Sequence, residues 1–244
     1  MRKVTVITSF DQSYYDKVGK HCLETMLQYW DPNIHIVLYV EDFELFNNSR
    51  FVKVPFEDLD PDYFVFQKEK RKASEKTFAK KAYSIIHAME NIETDILVWL
   101  DADVVTKKHI TKEFIESLIP EDKLSTHLGV WHHAIKHDET SPLMFSCETG
   151  FFALNKNHKH YDKFVKRYKE RYVNREKEDL RRFYDGDVYG AVVKEFKEKE
   201  MNDINPGMHK TPMSRSILKS YLVHFKHGLK RRDDFEKLVE KVKS

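Results

Sequence analysis

The sequence predicts an α/β fold in one domain, residues 1–244, with a mixed, mainly parallel central sheet flanked by helices. Three observations carry this. Residues 3–40 read as strand, helix, strand at the length of a βαβ unit, which implies parallel strands with right-handed crossovers. Ile96–Leu100 (ILVWL) is a short apolar run of β-formers, suited to a strand covered on both faces. Amphipathic helical stripes then alternate with strand-like runs, with no internal repeat and no linker.

Composition narrows the class. The chain has 244 residues, enough to bury a core. Apolar residues at 41% and aromatics at 13% describe a globular chain rather than a disordered one. Lys+Arg 42 against Asp+Glu 40 leaves a net charge of +2, so no nucleic-acid partner is expected. Two cysteines, Cys22 and Cys147, are too few for a disulfide framework or a thiolate zinc site. No apolar stretch reaches about 18 residues, so no transmembrane segment is expected. The basic N-terminus has too short an apolar run for a signal peptide. A cytoplasmic location is the expectation, with peripheral membrane association left open by the abundant basic residues.

The elements follow in order. Lys3–Ser9 is β-branched and reads as the first strand. A helix runs from the polar loop 10–13 to about Trp30, with Val18, Cys22, Met26 and Tyr29 at helical spacing. Asp31-Pro32-Asn33 breaks it. Ile34–Val40 is the second strand. Residues 47–71 read as irregular, aromatic and charged. Ser74 has the character of an N-cap for the next helix, whose buried stripe is Phe78, Ala82, Ile85, Ile86 and Met89. Lys80 falls opposite that stripe and reads as a solvated charge. Lys81 falls at its edge, where it either snorkels or reaches into a site. After Ile96–Leu100 come a short helix at Ile110–Leu118, a strand at Leu128–Trp131 and a polar loop over 132–145. Cys147–Leu154 reads as a strand, and Gly150 inside it signals a bulge or a close approach. Helices at 161–172 and about 187–197, a strand at Ser220–Lys226 and a helix at Asp233–Val242 complete the chain.

The chemistry concentrates where ILVWL ends in Asp101-Ala102-Asp103. In an extended conformation alternate side chains share a face, so both carboxylates are expected on one side. Like charges so close require a cation or a proton between them. Two readings follow. In one, the pair holds Mn²⁺ or Mg²⁺ with an incomplete shell left for phosphate oxygens. In the other, Asp-x-Asp-x-Val is the nucleophile motif of haloacid-dehalogenase-type phosphatases, with Asp101 attacking phosphorus. That family places its motif after the first strand, whereas here two strands and two helices precede it. Other groups are weaker signals. His132, His133, His137 and Asp138 lack the regular spacing of a structural zinc site and suit a loop on the acceptor side. Tyr14 and Tyr15 suit base stacking or helix-start packing equally. Asp185 and Asp187 suit a helix first turn. Glu148, a lone charge in a strand, needs a partner or a task.

In order along the chain, Val4–Phe10, FAKKAYSIIHAM (Phe78–Met89), LDADVV (Leu100–Val105), ETGFFALN (Glu148–Asn155), YDGD (Tyr184–Asp187) and HFKHGLK (His224–Lys230) resemble the nucleotide-sugar glycosyltransferases of the GT-A fold. Glycogenin-type members and related bacterial or viral ones are the most similar. The resemblance implies a nucleotide-binding half at about 1–106 and an acceptor and catalytic half at about 107–244. It implies a metal-dependent hexosyltransferase, retaining in configuration, that uses a UDP- or GDP-sugar and an acceptor of unknown kind. Thr8, Ser9, Phe10, Lys81, Asp101, Ala102 and Lys230 would contact the nucleotide sugar. Asp185 and Glu148 would lie near the reacting sugar. Asp101, Asp103 and a histidine would bind the metal. The C-terminal element has one residue too many between His224 and Gly228, so His224 and His227 both remain as the third ligand. His224 is preferred, because a strand end fixes a ligand better than a loop. A non-catalytic nucleotide-sugar-binding module is the remaining alternative.

Overall fold

The structure is a computed structural model that describes residues 2–41, 45–46, 48–134, 143–205, 213–225 and 235–243. The first strand, β1 (Val4–Phe10), is followed by a helical segment of three parts: α1 (Gln12–Tyr14), a π-helical turn (Tyr15–Gly19) and α2 (Lys20–Tyr29). Asp11 caps it by accepting from the Tyr14 backbone N–H. The strand β2 (His35–Val40) completes the βαβ unit and pairs parallel with β1.

The segment expected to be irregular is ordered: β3 (Phe51–Pro55), a 3₁₀ turn and α3 (Pro61–Lys68). Asp60 at the N-cap and Pro61 at the first helical position are the start signal for α3. The long helix α4 (Ala73–Asn91) begins one residue before Ser74, with Lys72 at the cap position and no side-chain cap. Ser74 instead accepts a hydrogen bond from the Tyr184 hydroxyl at 3.0 Å.

The strand β4 (Ile96–Leu100) lies beside β1 in parallel register, with Val6 opposite Val98 and Ile7 opposite Trp99. The chain then turns through 101–103 into β5 (Val104–Thr106), and α5 (Lys112–Leu118) follows, capped by Thr111. Next come β6 (Ser125–Ala134), β7 (Leu143–Glu148) and β8 (Phe151–Asn155). The single strand expected over 147–154 is therefore two, separated by Thr149-Gly150. The later elements are α6 (Tyr161–Val173), α7 (Asp185–Lys194), β9 (Met201–Asp203), β10 (Leu222–His224) and α8 (Phe235–Lys243).

The sheet order is β3-β2-β1-β4-β8-β6-β7, with β9 also on β6. Strands β3, β2, β1 and β4 run parallel, and β8 turns the sheet antiparallel against β4. Alternation along β4 divides the core. Ile96, Val98 and Leu100 join one apolar cluster with α2 and α5 residues, while Leu97 and Trp99 join another with α4, α6 and α7 residues. Separately, β10 pairs antiparallel with β5, setting His224 opposite Val104. That pairing carries the C-terminal part of the chain to the turn after β4. Among the described residues, no helix is long and apolar enough to cross a membrane.

Candidate active site

The two acids do meet, but not through the strand alternation expected from the sequence. The strand ends at Leu100, and the Val104 N–H donates to the Asp101 carbonyl at 3.0 Å, closing a turn. The turn makes the carboxylates converge. Asp101 remains on the Trp99 face, where its Oδ1 accepts from Trp99 Nε1 at 2.7 Å and Lys81 Nζ at 2.6 Å. Its backbone N–H donates to the Gly150 carbonyl at 2.9 Å, lacing it to the β7–β8 break.

His224 closes the cluster. Its Nε2 lies 3.0 Å from Asp103 Oδ1 and 3.7 Å from Asp101 Oδ2. The Phe225 N–H donates to the Asp103 carbonyl at 2.9 Å, which holds the end of β10 against the turn. One ligand atom each from Asp101, Asp103 and His224 fall within 4.8 Å of one another. The Asp103 and His224 side chains keep 6% and 7% exposure, while that of Asp101 keeps 24%, so the cluster opens to solvent there. Burial raises the Asp101 pKa and outweighs the Lys81 ammonium, leaving the carboxyl above its ordinary range. Burial alone lowers the His224 pKa, but Asp103, Glu148 and Asp101 overcome it and lift the imidazole to about 9. Two carboxylates and an imidazole with an open side fit a divalent ion that keeps positions for phosphate oxygens, as Mn²⁺ and Mg²⁺ do.

Around this cluster stands a second layer. Glu148, at the end of β7, is buried with Oε1 3.4 Å from His224 Nδ1. Gly150 makes that approach possible: a Cβ there would lie 2.6 Å from His224 Cε1 and 3.1 Å from Glu148 Oε1. The glycine signal in the sequence thus marks the close approach of an imidazole. Lys81 is buried on α4 and donates to Asp101 Oδ1, to the Thr149 carbonyl at 2.7 Å and to Asp185 Oδ2 at 2.7 Å. Burial lowers its pKa, but Asp101 and Asp185 together keep it above its ordinary value, so it stays an ammonium.

Asp185 opens α7 but does not act as an ordinary first-turn acid. It is buried, and Oδ2 accepts from Lys81 and from the Thr149 hydroxyl. Asp187, also buried, accepts from Ser146 Oγ at 2.7 Å, and burial raises its pKa. Gly186 between them seats α7 on β7, since a Cβ there would lie 2.5 Å from the Cys147 carbonyl oxygen.

Thr8, Ser9 and Phe10 form the last residues of β1, still paired with β2, at the same end of the sheet as Asp101. The Phe10 ring is turned inward, against Tyr15 at 5.6 Å between centroids. Thr8 Oγ1 is buried without a hydrogen-bond partner among the described residues. Ala102 is buried within the turn. Lys80 is not a solvated charge: it is half-buried and bridges Asp11, at 3.1 Å, and Glu41. Tyr14 hydrogen-bonds Asp103 through its hydroxyl, and burial raises its pKa. His227, Lys230, His137 and Asp138 lie outside the described residues. Sequence reasoning missed Trp99 and Thr149. The first was open to discovery, because a residue two before Asp101 shares its face; nothing in the sequence marks the second.

No family model matches the chain, and no curated protein matches it. Solved structures do. The bifunctional glycosyltransferase WbbM matches with a TM-score of 0.61 at 13% identity, over 99% of this chain and 50% of that one. The chain thus spans half of WbbM. The galactosyltransferase LgtC, solved in complex with donor and acceptor sugar analogues, matches with a TM-score of 0.57 at 11% identity, over 99% and 97% of the two chains. Mouse xyloside xylosyltransferase 1 matches with a TM-score of 0.52 at 13% identity, over 82% and 84%. This chain has the GT-A fold of the nucleotide-sugar glycosyltransferases.

Proposed function

We propose that the protein is a metal-dependent glycosyltransferase that moves a hexosyl group, with retention, from a UDP- or GDP-sugar to an acceptor. The observation that carries this is the convergence of Asp101, Asp103 and His224 at the end of β4 in a GT-A fold. We assign the nucleotide to residues 1–106 and the acceptor to 107–244. The phosphatase reading is not favoured, since the neighbours in fold are glycosyltransferases.

Asp101 Oδ2, Asp103 Oδ1 and His224 Nε2 would hold Mn²⁺ or Mg²⁺. A bound divalent ion supplies Lewis-acid neutralisation of the departing diphosphate. Thr8, Ser9 and Phe10 border the nucleoside at the carboxyl end of the parallel strands. Asp185 stands near the reacting carbon, with Oδ1 not hydrogen-bonded among the described residues. There its charge stabilises the oxocarbenium-like state of glycosyl transfer. Glu148 holds His224 from behind, as a carboxylate behind a ligating histidine does. Lys230 is assigned to the diphosphate from the sequence alone. Two buried free cysteines accord with a cytoplasmic location.

The test is purified protein with a panel of UDP- and GDP-sugars, with and without Mn²⁺. Metal-dependent transfer or hydrolysis of at least one donor is expected, and NMR of the product reads its anomeric configuration. Asp103→Ala should abolish nucleoside-diphosphate binding in Mn²⁺; unchanged binding would sink the metal assignment.

A further inference from the structure

An ammonium has three N–H donors. Those of Lys81 match three acceptors, Asp101 Oδ1 at 2.6 Å, Asp185 Oδ2 at 2.7 Å and the Thr149 carbonyl at 2.7 Å. The residue is buried, and the Trp99 ring lies 5.1 Å from Nζ. No donor remains for a phosphate oxygen. Among the described residues each carboxylate accepts hydrogen bonds on one oxygen only, and that oxygen has a second donor: Trp99 Nε1 on Asp101 and the Thr149 hydroxyl on Asp185. The other oxygen of each is left for other work. Thr149 also belongs to the β7–β8 break whose Gly150 carbonyl accepts from Asp101.

We propose that Lys81 is a positioning residue and not a diphosphate contact: its buried ammonium clamps Asp101, Asp185 and the Thr149 carbonyl, fixing the metal-binding carboxylate relative to the sugar-facing one. This rests on the glycosyltransferase reading for the role of Asp185. Its consequence is that the metal site and the α7 acid move as a unit. Loss of Lys81 frees Asp101 to rotate about the Trp99 bond and leaves Asp185 on Thr149 alone.

The experiment compares the full chain with Lys81→Met in two ways. The first is the electron paramagnetic resonance spectrum of bound Mn²⁺ without nucleotide. Lys81 is not a ligand, so a changed spectrum reports a displaced Asp101. Loss of a nearby cation by itself strengthens Mn²⁺ binding, so the spectrum and not the affinity decides. The second is steady-state kinetics with the active donor, where misplacement lowers kcat by about 100-fold with KM little changed. An unchanged spectrum, with kcat kept and KM raised about tenfold as for one lost charge-assisted hydrogen bond, makes Lys81 a diphosphate contact and overturns the proposal. If Lys81→Met does not fold, Lys81→Met/Asp185→Asn relieves the uncompensated acids and gives the same spectral reading against Asp185→Asn. A wild type that binds no Mn²⁺ overturns the metal reading and the clamp with it. A wild type that binds Mn²⁺ with a spectrum and kcat the lysine variant shares overturns the clamp alone.

Discussion

At the scale of single residues, Gly150 has the sharpest consequence. A methyl group there would meet His224 Cε1 at 2.6 Å and Nδ1 at 2.8 Å, where carbon contacts settle at about 3.5–4.0 Å. The ring must give by about 1 Å, and it is confined between Asp103 and Glu148. Gly150→Ala should therefore weaken Mn²⁺ binding by about 10–100-fold, the range for disturbed support of a metal ligand, while the chain still folds. A calorimetric Mn²⁺ titration beside a melting curve checks this, and wild-type affinity in the variant would count against it. The sequence made Gly150 conspicuous, because a glycine among strand formers asks for a reason. It did not say that the reason was His224. Such long-range contacts leave no local pattern, and for the same reason the partner that Glu148 needs, the His224 imidazole 3.4 Å from its Oε1, could not be named.

At the scale of elements, helix ends show what local pattern carries and what it leaves out. Amphipathic stripes located α4, α6 and α7 well, since burial of one face imposes the period. Caps were less legible. Ser74 had the right chemistry, yet its hydroxyl serves Tyr184. The helix α3 was missed although Asp60-Pro61 announced it, because its aromatic and charged residues mask any stripe. Short β5 and β9 are too brief for a period to register. What secures α3 is an ion-pair cluster beyond sequence reach. Arg175, just past α6, has a left-handed φ of 57° and places its guanidinium on Asp62 at 2.6 Å and Glu69 at 2.6 Å. Glu69 also pairs with Arg71 at 2.6 Å. Burial raises the Glu69 pKa, but the two arginines outweigh it and leave the carboxyl below its ordinary value. A depressed folded-state pKa gives stability that is present above the unfolded value, about 4.3, and is lost as pH falls through the folded one. Arg175→Asn keeps a residue that tolerates the left-handed backbone and removes the cation. It should cost about 1–2 kcal/mol at pH 7, and the cost should shrink below about pH 4. Urea midpoints of both proteins at pH 7 and pH 3.5 test this; an equal gap at both would refute the role of Glu69.

At the scale of the whole molecule, the site joins distant parts of the chain, and that sets how binding must act on the fold. Two of the three candidate ligands come from the turn after β4, in the interior of the sheet, and the third comes from β10. The parallel pairing of β1 with β2 was legible, because strand–helix–strand spacing dictates it, whereas β3 lies in the segment read as irregular. The pairing of β10 with β5 was not legible, because that antiparallel contact joins segments with no sequence relation. Beyond β10, the helix α8 packs Val239 with Val18, Val105 and Phe225, and His21 meets Glu236 at 2.9 Å. Helix α8 thus rests on a small cluster, while β10 is hydrogen-bonded only to β5 and buries Leu222 in the large cluster shared with β1 and β4. A cation held by Asp101, Asp103 and His224 ties β10 to the β4 turn. At a free Mn²⁺ concentration of about 100 times its Kd, the folded chain should gain about 2.7 kcal/mol, or about 5–10 °C in melting temperature at this chain length. Hydrogen exchange should slow most at the β5 and β10 amides, where opening breaks the metal site, and change less in β2 and β3 except through global unfolding. His224→Ala should keep the fold of the main sheet and lose both effects. Equal Mn²⁺ protection of β10 in that variant would show that the histidine does not bind the ion, and would move the third ligand elsewhere in the C-terminal segment.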